Sequence, residues 1–350
     1  MKTARVVALT VALSLLWPLL QVAAYGSFDA LLGVGPQGPA RAQVQQDIPD
    51  LHLTDDYGHD GQQFYVIARH PFDPKAAEGS VDPLAYRYRR ILFPLVGSIL
   101  APHGGRLLIA VFLLESLVGV ALGAWALSRL PGGPRWLPLT MAFTPGVIAA
   151  MGLSLSDALA AGLGLVAVAL ATERRWWPAI AALVAAVLTR ETLLIVAAGL
   201  TLTPGMPRRM RAATLAVPTA AFLAWSAWSS HAAAASSAKG GADQLAFPFA
   251  GWLSPHVPMG QRALLLAALA LLVAGAWRAW RTAAPHLAAI LGLGSVLLVS
   301  ISDLVAFNWV NSMRPIAPMV PLALYALTRD VAPAQETEVV PTTAAVGIAP

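Results

Sequence analysis

Residues 106–128 read RLLIAVFLLESLVGVALGAWALS, an apolar run with one carboxylate inside it, Glu115. A helix needs about 20 predominantly apolar residues to cross a bilayer's hydrocarbon core, and this stretch is long enough. Further apolar segments lie near 137–152, 157–172, 178–189, 192–205, 212–230, 262–278, 285–302 and 314–328, and another precedes it from Arg5 to Ala24. Together they predict ten crossings. Several are shorter than the roughly 17-residue minimum and are expected as half-helices or tilted segments inside a bundle, where protein neighbours satisfy a broken backbone. The expected fold is an all-α polytopic membrane protein with a first membrane helix over 1–24, a polar loop with interfacial helices over 25–105, a multi-span bundle over 106–328 and a disordered tail over 329–350.

Composition agrees. Of 350 residues 57% are hydrophobic and 12% charged, and mean hydropathy is +0.65. Globular domains carry about a quarter charged residues, so this chain has too little charge to solvate a surface of its own and is expected to meet membrane lipids. A net charge of +5 raises nucleic acid as a partner. The basic residues, however, form no patch interleaved with aromatics, and no nucleic-acid partner is expected. With no cysteine, the chain has neither disulfides nor thiolate nucleophiles nor Cys-ligated metals.

Basic residues recur between the segments: Arg129 and Arg135, Arg174 and Arg175, Arg208, Arg209 and Arg211, Arg278 and Arg281, then Arg329. With ten spans these all fall on one side, which the positive-inside rule makes cytoplasmic. Lys2 and Arg5 put the N-terminus there too. A cleaved leader ending at Val22-Ala23-Ala24 is the rival reading of the first segment; a retained helix suits the many spans that follow. The stretch from Tyr25 to Arg90, with eight aspartates, is then extracytoplasmic, and a short apolar piece from Ile91 to Ala101 lies at the interface.

Within that loop, Thr54-Asp55-Asp56-Tyr57-Gly58-His59-Asp60-Gly61-Gln62-Gln63-Phe64-Tyr65 gathers three carboxylates beside aromatics. A carboxylate in reach of a hydroxyl nucleophile can act as general base; equally, Asp56 or Asp60 can cap a helix starting near Gln62. Tyr86-Arg87-Tyr88-Arg89-Arg90-Ile91-Leu92-Phe93-Pro94 sets three guanidiniums at the outer interface. They suit a phosphate, which guanidinium binds through paired charged hydrogen bonds, or a headgroup anchor. Ionisable residues at membrane depth are costly unless paired. Asp157, Arg190, Asp303 and Arg314 fall at predicted outer ends, on the side of the acidic loop. Glu115, alone in mid-helix, reads as a structural hydrogen-bonding group. The seven histidines show no metal-ligand spacing.

The order of these features resembles the GT-C class of membrane glycosyltransferases. Asp60-Gly61-Gln62-Gln63-Phe64-Tyr65-Val66-Ile67-Ala68-Arg69 is similar to the "Asp-Gly/Ala, aromatic, x, x, Ile-Ala" run of the GPI mannosyltransferase-like branch. Tyr88-Arg89-Arg90-Ile91-Leu92-Phe93-Pro94-Leu95 is similar to its "Arg, aromatic/apolar, Pro-Leu" segment, and Ser154-Leu155-Ser156-Asp157-Ala158-Leu159 to its "Ser-Asp-Ala" helix start. Leu188-Thr189-Arg190-Glu191-Thr192 and Arg314-Pro315-Ile316-Ala317-Pro318 match runs of bacterial relatives. There is no Asp-x-Asp, and His59 stands where the eukaryotic branch often has Trp.

The resemblance implies a polyprenyl-phosphate-linked sugar as donor and an extracytoplasmic glycan or lipid as acceptor. Asp60, or its neighbours Asp55 and Asp56, would be the base. Gln63, Tyr65, Arg87, Arg89, Arg90, Asp157, Arg190 and Arg314 would bind substrate, with Arg89, Arg90 and Arg314 stabilising the leaving phosphate. Some enzymes of the class use a divalent cation, which the acidic loop permits. The rival expectations are a transporter or flippase of an amphipathic solute, with polar residues near the midplane, and a non-catalytic assembly protein that keeps the fold.

Overall fold

A computed structural model describes residues 3–54, 57–233 and 242–330. The regular elements among these are helices, with two isolated bridges, Val34–Gly58 and Leu245–Ile301. Three helices are long and apolar enough to cross a membrane: Thr3–Tyr25, Gly105–Arg129 and Met259–Arg281. Asp157–Thr172, Trp176–Thr189, Glu191–Leu200, Pro285–Val299 and Met319–Thr328 are apolar but run only 10–17 residues. The expected ten crossings are thus three full-length helices and a set of shorter pieces. The segment expected over 137–152 is broken: Pro145 starts a new helix, Pro145–Leu153, after a short Thr140–Phe143 turn. Arg208–Ala232 is one helix of 25 residues. The expected tail lies, from 331 on, outside the described residues.

Close backbone contact sets the bundle's centre. A Cβ on Gly119 would overlap the Ala158 carbonyl and one on Gly162 the Gly119 carbonyl, so the Gly105–Arg129 and Asp157–Thr172 helices cross backbone to backbone, the small-residue contact used where lipid provides no hydrophobic drive. Around them packs a large apolar core from Val120 to Ala326. A second core, built on Leu31, Leu32, Val44, Phe64, Tyr65 and Phe93, closes over Leu108, Ile109 and Phe112. The acidic stretch is therefore a folded unit seated on the first turns of Gly105–Arg129.

The bundle has two chemically distinct ends. At one, Arg129 meets Glu173 at 2.7 Å, Tyr325 donates to the Pro131 carbonyl at 2.8 Å, the Asp330 amide donates to Gly132, and Arg329 donates to the Thr282 carbonyl at 3.0 Å. The arginine-bearing turns after four helices thus converge. Asp157–Thr172 runs from the opposite end to this one, about 24 Å at 1.5 Å per residue. Asp157, at its start, lies with the folded acidic unit.

Candidate functional site

Asp60 begins the Asp60–Arg69 helix. Its position is fixed from behind: the His59 amide donates to Gly33 O at 2.8 Å, and a Cβ on Gly61 would overlap the carbonyls of Leu153 and Leu32. The capping reading of Asp60 does not hold. His59 precedes the first turn without a side-chain cap, and the Asp60 carboxylate reaches outward to cations. Oδ1 lies 2.7 Å from Arg87 Nη1, and Oδ2 lies 2.9 Å from Arg314 Nη2 and 3.9 Å from Arg90 Nη1. Burial pushes this carboxyl up, but Arg87, Arg314 and Arg90 outweigh it and hold the group well below the usual carboxylate range.

Arg87 and Arg90 share one face because they are three residues apart on a short helix, Leu84–Tyr88, and its continuation. Tyr88 turns the other way, donating to the His70 carbonyl at 2.7 Å while its own carbonyl accepts from Trp225 Nε1 at 2.6 Å. Arg90 binds Glu191 through two parallel bonds of 2.9 and 2.7 Å, stacks 4.7 Å from the centre of the Tyr86 ring and donates to the Tyr86 hydroxyl. Behind Asp60, the almost fully buried Asp157 accepts from Arg314 Nε at 2.6 Å and from Arg190. Arg314 follows the short Trp309–Met313 helix, whose start is capped by the Asn308 side chain on the Asn311 amide at 2.9 Å.

These groups surround a cavity of about 900 Å³. Asp60, Tyr86, Arg87, Arg89, Arg90, Arg190, Glu191 and Arg314 line its charged side, and Leu245, Leu297, Ile301, Leu304 and Val305 its apolar side. The Leu245–Ile301 bridge holds that apolar wall together. Counting Asp157 behind the wall and the exposed Asp82 at the rim, four carboxylates face five guanidiniums among the described residues, leaving one positive charge over. Nε of Arg89 and of Arg190 have no hydrogen-bond partner, and Nη2 of Arg314 lies at ion-pair distance from Asp60 without a hydrogen-bonding direction. Buried donors of this kind are costly to leave unmade.

Of the expected site residues, Asp60, Arg87, Arg89, Arg90, Arg190 and Arg314 line one cavity and Asp157 braces it. Gln63 and Tyr65 do not belong to it. Gln63 accepts from the Asp82 amide at 3.1 Å, and the Tyr65 hydroxyl donates to Asp47 at 2.8 Å and accepts from the Gly105 amide at 2.6 Å. Both are structural: Tyr65, five positions beyond Asp60, sits about 140° around the helix axis on another face, and Gln63, three positions on, spends its side chain on the Asp82 amide. Asp55 and Asp56 lie outside the described residues. Asp303 is turned away, accepting from Ser254 at 3.2 Å. Both Glu115 oxygens are buried without a partner, so the expected structural hydrogen bond is absent. Among the described residues no three His, Asp or Glu side chains converge to hold a metal ion. The apolar wall is the part that sequence reasoning missed; Glu191, one of the ionisable candidates at membrane depth, and Tyr86, in the Tyr86–Pro94 run, had no role assigned there, and both meet Arg90.

Comparison with known proteins gives no match to a family, to a curated protein or to a solved structure.

Proposed function

We propose that this chain is a membrane-embedded glycosyltransferase that moves a sugar from a polyprenyl-phosphate donor to an acceptor hydroxyl on an extracytoplasmic glycan or lipid. The observation that carries the reading is the juxtaposition of Asp60 with Arg87, Arg90 and Arg314 in one cavity whose opposite wall is Leu245, Leu297, Ile301, Leu304 and Val305. A lipid-linked sugar phosphate has those two halves, an anionic diester and an isoprenoid chain. The surplus of one positive charge suits the single charge of a phosphodiester.

In the reaction the acceptor oxygen attacks the anomeric carbon as Asp60 takes its proton. The carbon–oxygen bond to phosphate breaks on the opposite face, and its electron pair leaves on the phosphate oxygen. The anomeric configuration inverts. The leaving phosphate is a weak base and needs no proton; guanidiniums aimed at it stabilise the developing charge. Arg90 and Arg314 are pre-positioned for this by Glu191 and Asp157.

The chain is placed in the cell membrane with ten crossings, several of them short, with both termini and the Arg129, Arg175, Arg281 and Arg329 end in the cytoplasm and the cavity on the outer side. The gathering of charge at one end of the bundle favours this over a transporter, whose polar path belongs near the midplane.

The test is to incubate purified protein with a panel of polyprenyl-phosphate sugars and follow release of the lipid phosphate. One donor is expected to be consumed by the wild type and not by Asp60→Asn. A folded wild type inert to the panel with acceptors supplied, or an Asp60→Asn protein with full activity, counts against the proposal.

A further inference from the structure

The cations around Asp60 are not equivalent. Arg90 is clamped by two bonds to Glu191 and by Tyr86. Arg314 and Arg190 are clamped by Asp157. Among the described residues Arg87 has no such second carboxylate: beyond Asp60 it makes a 3.3 Å bond from Nε to the Asp82 carbonyl and lies 5.6 Å from the centre of the Tyr86 ring. It is also the most open of the four, with a side chain 17% exposed against 3, 5 and 7% for Arg90, Arg314 and Arg190. Three guanidiniums are fixtures, and one is free to change partner by a side-chain rotation.

As it stands, Asp60 is unsuited to accept a proton. Its Oδ1 is occupied by Arg87 and its Oδ2 faces Arg314, and a carboxylate neutralised by two cations is a poor base. An anion entering the cavity competes with Asp60 for these guanidiniums, and Arg87 is the one able to follow it. We propose that Arg87 is a latch: it ties up Asp60 in the empty site and is taken over by the donor's phosphate, which frees the carboxylate for the acceptor only once the donor is seated. This rests on the transferase reading for its ligand, a phosphodiester bearing an apolar chain. Donor before acceptor is the binding order it imposes.

The latch makes a prediction opposite in sign to that of an ordinary binding residue. If Asp60 competes for Arg87, removing its charge tightens phosphodiester binding. The probe is citronellyl methyl phosphate, a short isoprenyl phosphodiester of constant single charge, titrated calorimetrically into the full-length protein in detergent. Asp60→Asn is expected to bind it about tenfold more tightly than wild type, and the same substitution in an Arg87→Gln background to change affinity less than about threefold, the coupling a double-mutant cycle isolates. Unchanged or weaker binding by Asp60→Asn, or equal tightening with and without Arg87, overturns the latch while leaving the phosphate site standing.

If Asp60→Asn does not fold, the wild type supplies the test. Asp60 faces Arg87 and Arg90 from one segment and Arg314 from another, with Glu191 and Asp157 behind those cations. Released beside a phosphate, Asp60 takes up a fraction of a proton on binding near pH 5, visible as a dependence of the binding heat on the buffer's ionisation enthalpy. No uptake overturns the latch. Failure of the parent reading looks different: the wild type does not bind the probe, or Arg90→Gln and Arg314→Gln bind it as well as wild type does.

Discussion

Asp157 gives both carboxylate oxygens to guanidiniums, and among the described residues it is the side-chain hydrogen-bond partner of Arg190 and of the Nε of Arg314. Removing one member of a buried ion cluster leaves an uncompensated charge, at about 3–5 kcal/mol. Asp157→Asn is expected to lose that much in detergent unfolding, whereas the exposed Asp243→Asn stays within about 0.5 kcal/mol of wild type. Asp60 adds a pH signature. Its carboxyl is held down by Arg87, Arg314 and Arg90 against the upward push of burial, so its stabilisation is complete above the unfolded-state value near about 3.9 and is lost as pH falls from there toward the lower folded-state value. The deficit of Asp60→Asn relative to wild type should stay level from about pH 8 to 5 and shrink below about pH 4 in denaturation series. Glu115 is the contrary case, a carboxyl with no partner inside a membrane-length helix. Glu115→Gln should leave donor turnover unchanged and not lower the unfolding midpoint, because the wild-type group makes no hydrogen bond to lose.

Between elements the precision of the site depends on backbone contact. The turn that carries Asp60 is pressed on the Leu153 and Leu32 carbonyls at Gly61, so a methyl group there pushes the carboxylate away from its arginines. Gly61→Ala is expected to reduce turnover by about a hundredfold, the scale of a 1 Å misplacement, while Gly292→Ala, with open space around it, has no effect on the rate. The sequence announces the charges that meet here in two ways: Asp157, Arg190 and Arg314 because ionisable groups at membrane depth are rare and need partners, and Asp60 and Arg90 because they stand in a carboxylate-rich and an arginine-rich run of the polar loop. It does not announce which way each turns. In Arg87-Tyr88-Arg89-Arg90 the face is set by where the Leu84–Tyr88 helix starts. In Tyr65, nearness to Asp60 along the chain reads as proximity and the helical turn undoes it, whereas Gln63 keeps to Asp60's side of the helix and has its side chain taken by the Asp82 amide. The apolar wall is invisible in one dimension, since Leu245 and Leu297 come from distant segments made of residues found throughout the chain.

At the scale of the molecule the ends separate arginine-rich turns from the cavity. A chain without cysteine lets a single introduced thiol report sidedness. Lys75→Cys, exposed beside the acidic unit, should react with an impermeant maleimide added to intact cells, and Arg208→Cys, exposed at the other end, only after permeabilisation. Equal labelling of both would overturn the proposed orientation. The apolar periodicity of 106–128 and 262–278 predicts helices that the structure has, Gly105–Arg129 and Met259–Arg281. Between them, prolines such as Pro145 and the Arg190-Glu191 pair divide the chain into pieces whose number of crossings hydropathy alone does not fix. The two helices that frame Asp157 and Arg190 have 16 and 14 residues, about 24 and 21 Å, short of the roughly 30 Å of an average hydrocarbon core. On the membrane topology and the transfer reaction proposed above, lipid at this part of the bundle thins, or the transfer takes place beneath the headgroups. Either way, acyl-chain length becomes a lever on turnover: vesicles of shorter-tailed phosphatidylcholine should support faster turnover than long-tailed ones.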